Sequence, residues 1–318
     1  MIILNIVTNA ENNLIMSSKR LIHITGPTSS GKTKLAINLA SKLKTEIISY
    51  DSRQFYKEMK IGTGVPSKVE LSKCKHHFIH NKSILEHYNV GKYFIDANNL
   101  LKKLFKNFKN VILVGGSGLY ADSLIYGLDE FPEVKSDVRN KLINDYNKKG
   151  LDFLQNLLKK KDPKYHKIVD INNKQRVIRA LEIIISSNKP FSSFLGKKQP
   201  DFNYNIITIN IEIDRKELYR KINNRVDKMI LDGLEDEVKK LSKHQKLNAM
   251  QTVGYKEWFG YWNNLYDLNN TIELIKKNTR RYAKRQITWN KKYNNQIKYK
   301  HNSKNINYLL KQIQDFED

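Results

Sequence analysis

Apolar positions along this chain follow two alternating patterns. Short runs dominated by apolar residues fall at Leu21–Thr25, Glu46–Tyr50, Val111–Val114 and Ile206–Ile213. Unbroken runs of that length, bounded by polar residues, predict buried strands. Between them the apolar residues recur at helical spacing, as in Lys34-Leu35-Ala36-Ile37-Asn38-Leu39-Ala40. Strand and helix in alternation predict an α/β core with a mostly parallel sheet. From about Glu130 to Pro200 the pattern changes: no strand candidate occurs, and polar helices are predicted over Lys135–Lys149, Leu151–Lys160 and Asn173–Ser187. Pro132 and Pro200 bracket this block, which reads as a helical insertion in the core. After Ile213 the stripe Leu218, Ile222, Val226 and Ile230 predicts a helix broken near Gly233, and a long last helix is predicted from Asn269 to Lys292. The organisation expected is an N-terminal extension (1–18), a core with C-terminal helices (19–129 and 201–298), the insertion (130–200) and a polar, peripheral tail (299–318). Met16 competes with Met1 as the start, because the first core strand begins only a few residues later.

Composition sharpens this picture. The 318 residues are 40% hydrophobic, enough for a real core, yet no apolar run is long enough to span a bilayer. Residues 1–7 lack the basic flank and cleavage site of a signal peptide. The single cysteine, Cys74, excludes an intramolecular disulfide and any multi-cysteine zinc site, so a reducing cytoplasm is the expected location. His76 and His77 beside it have no second ligand pair at zinc-like spacing. The net charge of +25 points to a polyanionic partner, since each neutralised phosphate releases condensed counterions. Part of the lysine excess goes with a general richness in Lys, Asn and Ile.

Four segments carry candidate chemistry. Gly26-Pro27-Thr28-Ser29-Ser30-Gly31-Lys32-Thr33 lies between the first strand and a helix. In that context the glycines let backbone N–H groups wrap a diphosphate, Lys32 adds a mobile positive charge, and the Thr33 hydroxyl is placed to hold magnesium. The second strand runs into Ser49-Tyr50-Asp51-Ser52-Arg53-Gln54. Asp51 at its carboxyl end should face the phosphate loop, as a magnesium ligand, a general base, or simply a helix cap. The strand at Val111–Val114 leads into Gly115-Gly116-Ser117-Gly118-Leu119-Tyr120, where an ATPase would place an acidic residue. Its absence counts against ATP hydrolysis. Near the C-terminus, Arg281, Lys284 and Arg285 take neighbouring helical positions with Tyr282 and Trp289 interleaved, a pattern suited to RNA phosphates and unstacked bases.

In order along the chain, the first three of these motifs are joined by Ile61-Gly62-Thr63-Gly64, Gln175-Arg176-Val177-Ile178-Arg179-Ala180-Leu181-Glu182, Val253-Gly254-Tyr255-Lys256-Glu257 and, within the fourth, Ala283-Lys284-Arg285-Gln286. The set resembles the bacterial-type tRNA dimethylallyltransferases (tRNA isopentenyltransferases) from about Leu21 to Trp289. The resemblance implies a P-loop NTPase-like core and transfer of a dimethylallyl group, from dimethylallyl diphosphate to N6 of the adenosine just 3′ of the anticodon. It implies that Gly26 to Thr33 bind diphosphate and Mg2+, with Lys32 stabilising the leaving group. Asp51 would be the base, Ser52, Arg53 and Gln54 would touch tRNA, and Ser117 would lie beside the adenine. Arg139, Lys174, Gln175, Arg176, Val177, Ile178 and Arg225 match positions used for tRNA or diphosphate. Partners are then the tRNA anticodon stem-loop and dimethylallyl diphosphate, with no membrane, and a monomer suffices. Two positions depart from the family pattern: Ser117 replaces a usual threonine, and Gly64-Val65-Pro66 replaces Ala-Lys-Pro, with one positive charge fewer.

Overall fold

The protein, seen as a computed structural model, is described here over residues 19–134, 136–196, 203–301 and 306–316. The predicted extension (1–18), the choice of start and the bracketing Pro200 lie outside the described residues. Six strands form one all-parallel sheet: β1 (Arg20–Thr25), β2 (Ile47–Ser49), β3 (His76–His77), β4 (Asn110–Val114), β5 (Asn205–Glu212) and β6 (Ile297–Lys300), in the order β3-β2-β4-β1-β5-β6. Parallel strands need crossovers, and a sheet covered on both faces reads as continuous apolar sequence. β1 shows this most clearly. It pairs with β4 and β5 in register, Ile22 opposite Ile112 and Ile207, and all six of its residues are buried. Its buried histidine, His23, stands between Thr208 Oγ1 (3.3 Å) and the Tyr50 hydroxyl (3.2 Å), and burial pushes its pKa down to about 3.

One face of the sheet packs on the helix after the phosphate loop (Lys32–Leu43), through Leu35, Ala36, Leu39 and Ala40. The other packs on the helices Val90–Leu104 and Gly118–Tyr126, through Tyr93, Ala97, Leu101, Ala121 and Leu124. A third cluster, centred on Trp258, Tyr255, Met59 and Val226, ties together the helices Arg215–Leu231, Leu234–Lys240, Lys256–Trp262 and Leu268–Asn290.

The tail expected to be peripheral is part of the core. Ile297–Lys300 adds the edge strand β6, and the helix Ile306–Gln314 buries Leu309 and Ile313 beside Ile211 and Leu35. Four apolar residues, Ile306, Leu309, Leu310 and Ile313, suffice because their i, i+3, i+4, i+7 spacing puts them on one face. β3, only two residues long, is too short for a periodicity to reveal.

Residues 126–200 form a separate compact unit. Its first helix (Ser136–Lys161) is interrupted at Gly150, whose φ of 78° lies outside the helical region, and Pro163–Ile168 and Lys174–Ser187 follow. Leu154, Leu158, Val177, Ile178 and Leu181 fill its core. Two buried carboxylates order it. Asp162 accepts from the backbone of Tyr165 and from both the backbone and hydroxyl of Ser192, while Glu182 holds Arg139 at 2.8 Å and Arg179 at 3.4 Å.

Candidate active site

The chain between β1 and its following helix turns by conformations that few side chains allow. Gly26 and Gly31 have φ of 144° and 91°, and Ser29 takes a positive φ of 63°. Lys32 folds back over the loop and donates to the carbonyls of Gly26 (2.9 Å) and Pro27 (2.8 Å). Burial lowers its pKa to about 8, with Asp51 pulling it up and Arg225 pushing it down. The hydroxyls of Ser29 and Ser30 are buried without a partner among the described residues. Buried polar groups ordinarily find one, so a loop holding two spare hydroxyls and a retracted lysine is built to receive an anion.

Asp51 follows β2 at the carboxyl end of the sheet. Its Oδ1 accepts the backbone N–H of Arg53 at 3.1 Å, so the cap-like bond exists. Oδ2 faces Gly116, where a Cβ would come within 2.9 Å of it. Burial raises the carboxyl's pKa, opposed by the Arg53 N–H and by Lys32 and Arg225. Gly115 and Gly116 let the β4 loop pass this close: a Cβ on Gly115 would sit 2.6 Å from the Tyr50 carbonyl carbon. Ser117 Oγ accepts the Ser52 N–H at 3.0 Å and pairs with its hydroxyl at 2.8 Å.

Two cavities meet at Asp51. One, of about 300 Å³, is polar and is lined by Thr28, Ser29, Gly31, Lys32, Thr33 and Ser49. The other, of about 520 Å³, is lined by Ser52, Arg53, Ser117, Leu119, Met229 and Trp289. Thr28, Asp51, Thr63, Gly116, Arg225, Tyr282 and Gln286 line both. Arg225 reaches the junction from the helix Arg215–Leu231, 3.3 Å from Thr28 Oγ1 and 3.4 Å from the Thr63 carbonyl. Gly64 makes room for it, since a Cβ there would lie 2.8 Å from Arg225 Cζ.

The long last helix supplies a wall that the charge pattern concealed. Tyr282 donates to the Gly116 carbonyl (2.7 Å), and Gln286 bridges that carbonyl (2.9 Å) to the Thr28 N–H (2.7 Å). Tyr282 is therefore a fixed part of the site and not a free stacking platform. Arg281, Lys284 and Arg285 are exposed, and of the three Arg285 turns to the larger cavity, lining it over the Tyr282 ring. Their i, i+3, i+4 spacing was visible, and the same rule applied to 282, 286 and 289 exposes the inner face. Among the other expected contacts, Arg53 binds the carbonyl and side chain of Asn248, and Gln54 donates to the carbonyls of Thr63 and Gly64. In the 126–200 unit, Lys174, Gln175 and Arg176 are exposed at the start of their helix. Val177 and Ile178 are buried, so the expectation that they touch tRNA is corrected: they pack the unit's core.

Thr63, Gly64 and Gln286 stood in motifs that the sequence showed but were given no site role, and Glu237 was not singled out. The carboxylate of Glu237 accepts the N–H groups of Lys60, Ile61 and Gly62 and the Tyr255 hydroxyl, which fixes the loop that carries Thr63 and Gly64.

A family model described as IPP transferase matches residues 54–293. The chain belongs to this family. The transferase is 50% identical to a tRNA dimethylallyltransferase of Christiangramia forsetii over 91% of this chain and 96% of that one. It is 48% identical to the tRNA dimethylallyltransferase of Flavobacterium johnsoniae, over 87% and 92%. Among solved structures it is similar to the tRNA isopentenylpyrophosphate transferase of Bacillus halodurans, with 35% identity, TM-score 0.68 and coverage of 94% and 95%. It is also similar to a eukaryotic dimethylallyltransferase captured acting on tRNA, with 28% identity, TM-score 0.71 and coverage of 86% of this transferase and 70% of that chain. These matches agree with an α/β sheet of P-loop type carrying a transferase site.

Proposed function

We infer that this protein transfers the dimethylallyl group of dimethylallyl diphosphate to N6 of the adenosine just 3′ of the anticodon in tRNA. The observation that carries this reading is the junction at Asp51, where a polar, anion-ready cavity opens into a larger one walled by apolar and aromatic groups. A diphosphate in the first and an adenine entering through the second would bring the allylic carbon and N6 together beside the carboxylate. The C–O bond to diphosphate breaks as the N6–C bond forms, and Asp51 accepts the N6 proton. A carboxyl with a raised pKa is a better base than an ordinary one, and N6 needs it because its lone pair is delocalised into the ring. Lys32, Arg225 and the loop N–H groups stabilise the departing diphosphate by fixed charge and dipoles.

The Thr33 hydroxyl fits a magnesium ion: the groups around it in the small cavity, Ser49 and Asp51 among them, offer oxygen donors suited to a hard cation. Magnesium bound there would neutralise charge on the diphosphate. For tRNA, the exposed Lys174, Gln175 and Arg176 of the 126–200 unit and Arg281, Lys284 and Arg285 of the core unit supply basic contacts to the anticodon stem-loop. Extrusion of the adenine from its stack accounts for the cavity behind Ser117. No helix among the described residues is long and apolar enough to cross a membrane. A tRNA substrate puts the reaction in the cytoplasm, and one copy of the chain suffices for it.

The test is incubation of protein, magnesium and unmodified tRNA with labelled dimethylallyl diphosphate or labelled ATP. Label from the first is expected in tRNA, dependent on Lys32 and on the target adenosine. ATP turnover without tRNA and without prenyl transfer would replace this reading by a kinase or ATPase one.

A further inference from the structure

His301 directly follows β6 and packs against the phosphate loop, and it is not among the residues that line the cavity at Lys32. His301 Nε2 lies 2.6 Å from the carbonyl oxygen of Ser30. Its ring also fills the space beside Gly31, where a Cβ would fall 2.9 Å from His301 Cε1. The ring is anchored edge-on against Tyr299 at 5.4 Å, and Tyr299 packs on the sheet's core. A carbonyl oxygen only accepts, so this contact requires a hydrogen on Nε2. Burial and the nearby charges of Lys221 and Lys34 lower the pKa of His301, opposed by the Ser30 carbonyl, which favours a neutral ring carrying that hydrogen.

The consequence lies in the geometry of one peptide unit. Ser30 C=O and Gly31 N–H belong to the same planar trans peptide and point in opposite directions. Drawing the carbonyl toward His301 turns the Gly31 N–H away from it, toward the cavity that Gly31 lines with Lys32 and Thr33. Gly31, at φ 91°, has no side chain to hold this orientation, so an outside group must hold it.

We propose that His301 is a positioning residue for the diphosphate, donating its Nε2 hydrogen to the Ser30 carbonyl so that the Gly31 N–H is aimed at the leaving group. His301 lies beyond residue 293, where the family match stops. The proposal rests on the transferase reading above for the identity of the anion.

Three variants separate hydrogen bonding from packing. His301→Gln keeps a donor at about the Nε2 position, His301→Phe keeps the ring and loses the donor, and His301→Ala loses both. Measured with unmodified tRNA, His301→Phe is expected to raise KM for dimethylallyl diphosphate about three- to tenfold, the worth of one net hydrogen bond. KM for tRNA should not move, and His301→Gln should stay within about twofold of wild type. Affinity for inorganic diphosphate, measured by calorimetry, should follow the same order. A wild-type KM in His301→Phe, or equal losses in the Phe and Gln variants, overturns the proposal. Should the Phe variant not fold, ¹⁵N-histidine spectra of the wild type decide. A slowly exchanging Nε2–H that shifts when inorganic diphosphate is added supports the assignment, and its absence refutes it. Wild-type protein that binds diphosphate but prenylates no tRNA would remove the transferase reading and leave this one standing.

Discussion

The two cavities that share Asp51 are built by different means. The side proposed for the diphosphate is built around one loop: eight consecutive residues bend by positive φ at Gly26, Ser29 and Gly31, and Lys32, Lys34 and Arg225 bring formal positive charge. The acceptor side is made of side chains delivered by distant segments, among them Ser52, Ser117, Met229, Tyr282 and Trp289. A diphosphate is small, symmetric about its charge and always the same, so fixed N–H dipoles recognise it at low reorganisation cost. An adenine presented by a folded RNA needs a shaped opening and a surface for the surrounding phosphates, and a single loop cannot provide both. The contrast implies that damage on the diphosphate side is severe and local, whereas damage on the acceptor side is graded.

The sharpest way to break this contrast is at the junction. Asp51→Asn keeps the shape and the Arg53 contact but removes the proton acceptor. Single-turnover transfer should fall about a hundred- to ten-thousand-fold while tRNA affinity is unchanged. A variant within threefold of wild type would take Asp51 out of the chemistry.

Next comes Lys32→Ala, expected to lower the transfer rate on the order of a hundred- to a thousandfold by removing a charge from the leaving group. Lys32 also gives the diphosphate side its own pH signature. With a pKa of about 8 before substrate binds, it is charged below that pH and neutral above it. Affinity for inorganic diphosphate, measured by calorimetry with divalent metal removed, should therefore weaken as pH rises from 7 to 9. The loss approaches tenfold, and Lys32→Ala should abolish this part of the dependence. Equal pH profiles in wild type and variant would assign the low pKa no role in binding.

A smaller effect is expected at the loop that seats Arg225. Gly64→Ala sets a methyl group against the guanidinium at a backbone φ of 59°, so it should displace Arg225 and raise KM for dimethylallyl diphosphate about tenfold. An unchanged KM would show that Arg225 works without Gly64's space. The smallest change is on the acceptor side's outer surface. With Arg281 and Lys284 replaced by Ala, transfer at saturating tRNA should be near normal. The slope of log affinity against log salt should drop by roughly 0.7 to 0.9 for each tRNA phosphate that these side chains neutralise in the wild type. An unaltered slope would make this face a solvated one.

The same contrast explains what could be read from sequence. The loop from Gly26 to Thr33 was legible because its residues are contiguous, and the strand and helix expected on either side of it are present. Asp51 was legible because functional groups collect at the carboxyl ends of parallel strands. Arg225, Thr63 and Gly64 are joined only by tertiary contacts, so their closeness has no trace in spacing. Gln286 stood in a recognised run yet was passed over for its charged neighbours, although i, i+4 from Tyr282 marks the inward face. Val177 and Ile178 erred the other way, since belonging to a motif outweighed the amphipathic pattern that buries them. The segment after Tyr293 was misjudged because four apolar residues in a polar stretch look negligible until an exposed sheet edge and helix face are there to receive them.

The cradle also has a direction in time. Thr28 receives its partner Gln286 from 258 residues further along, and Ser30 meets His301 across 271. On a ribosome the phosphate loop emerges well before the groups that shape it. The 126–200 unit has its own apolar core and can condense between these events. β1, by contrast, must wait for β5 before its second edge is covered. Long-range parallel pairing of this kind is slow to form. A growing chain therefore carries the phosphate-loop sequence long before it has the groups that shape the proposed anion site, which follow 258 and 271 residues later.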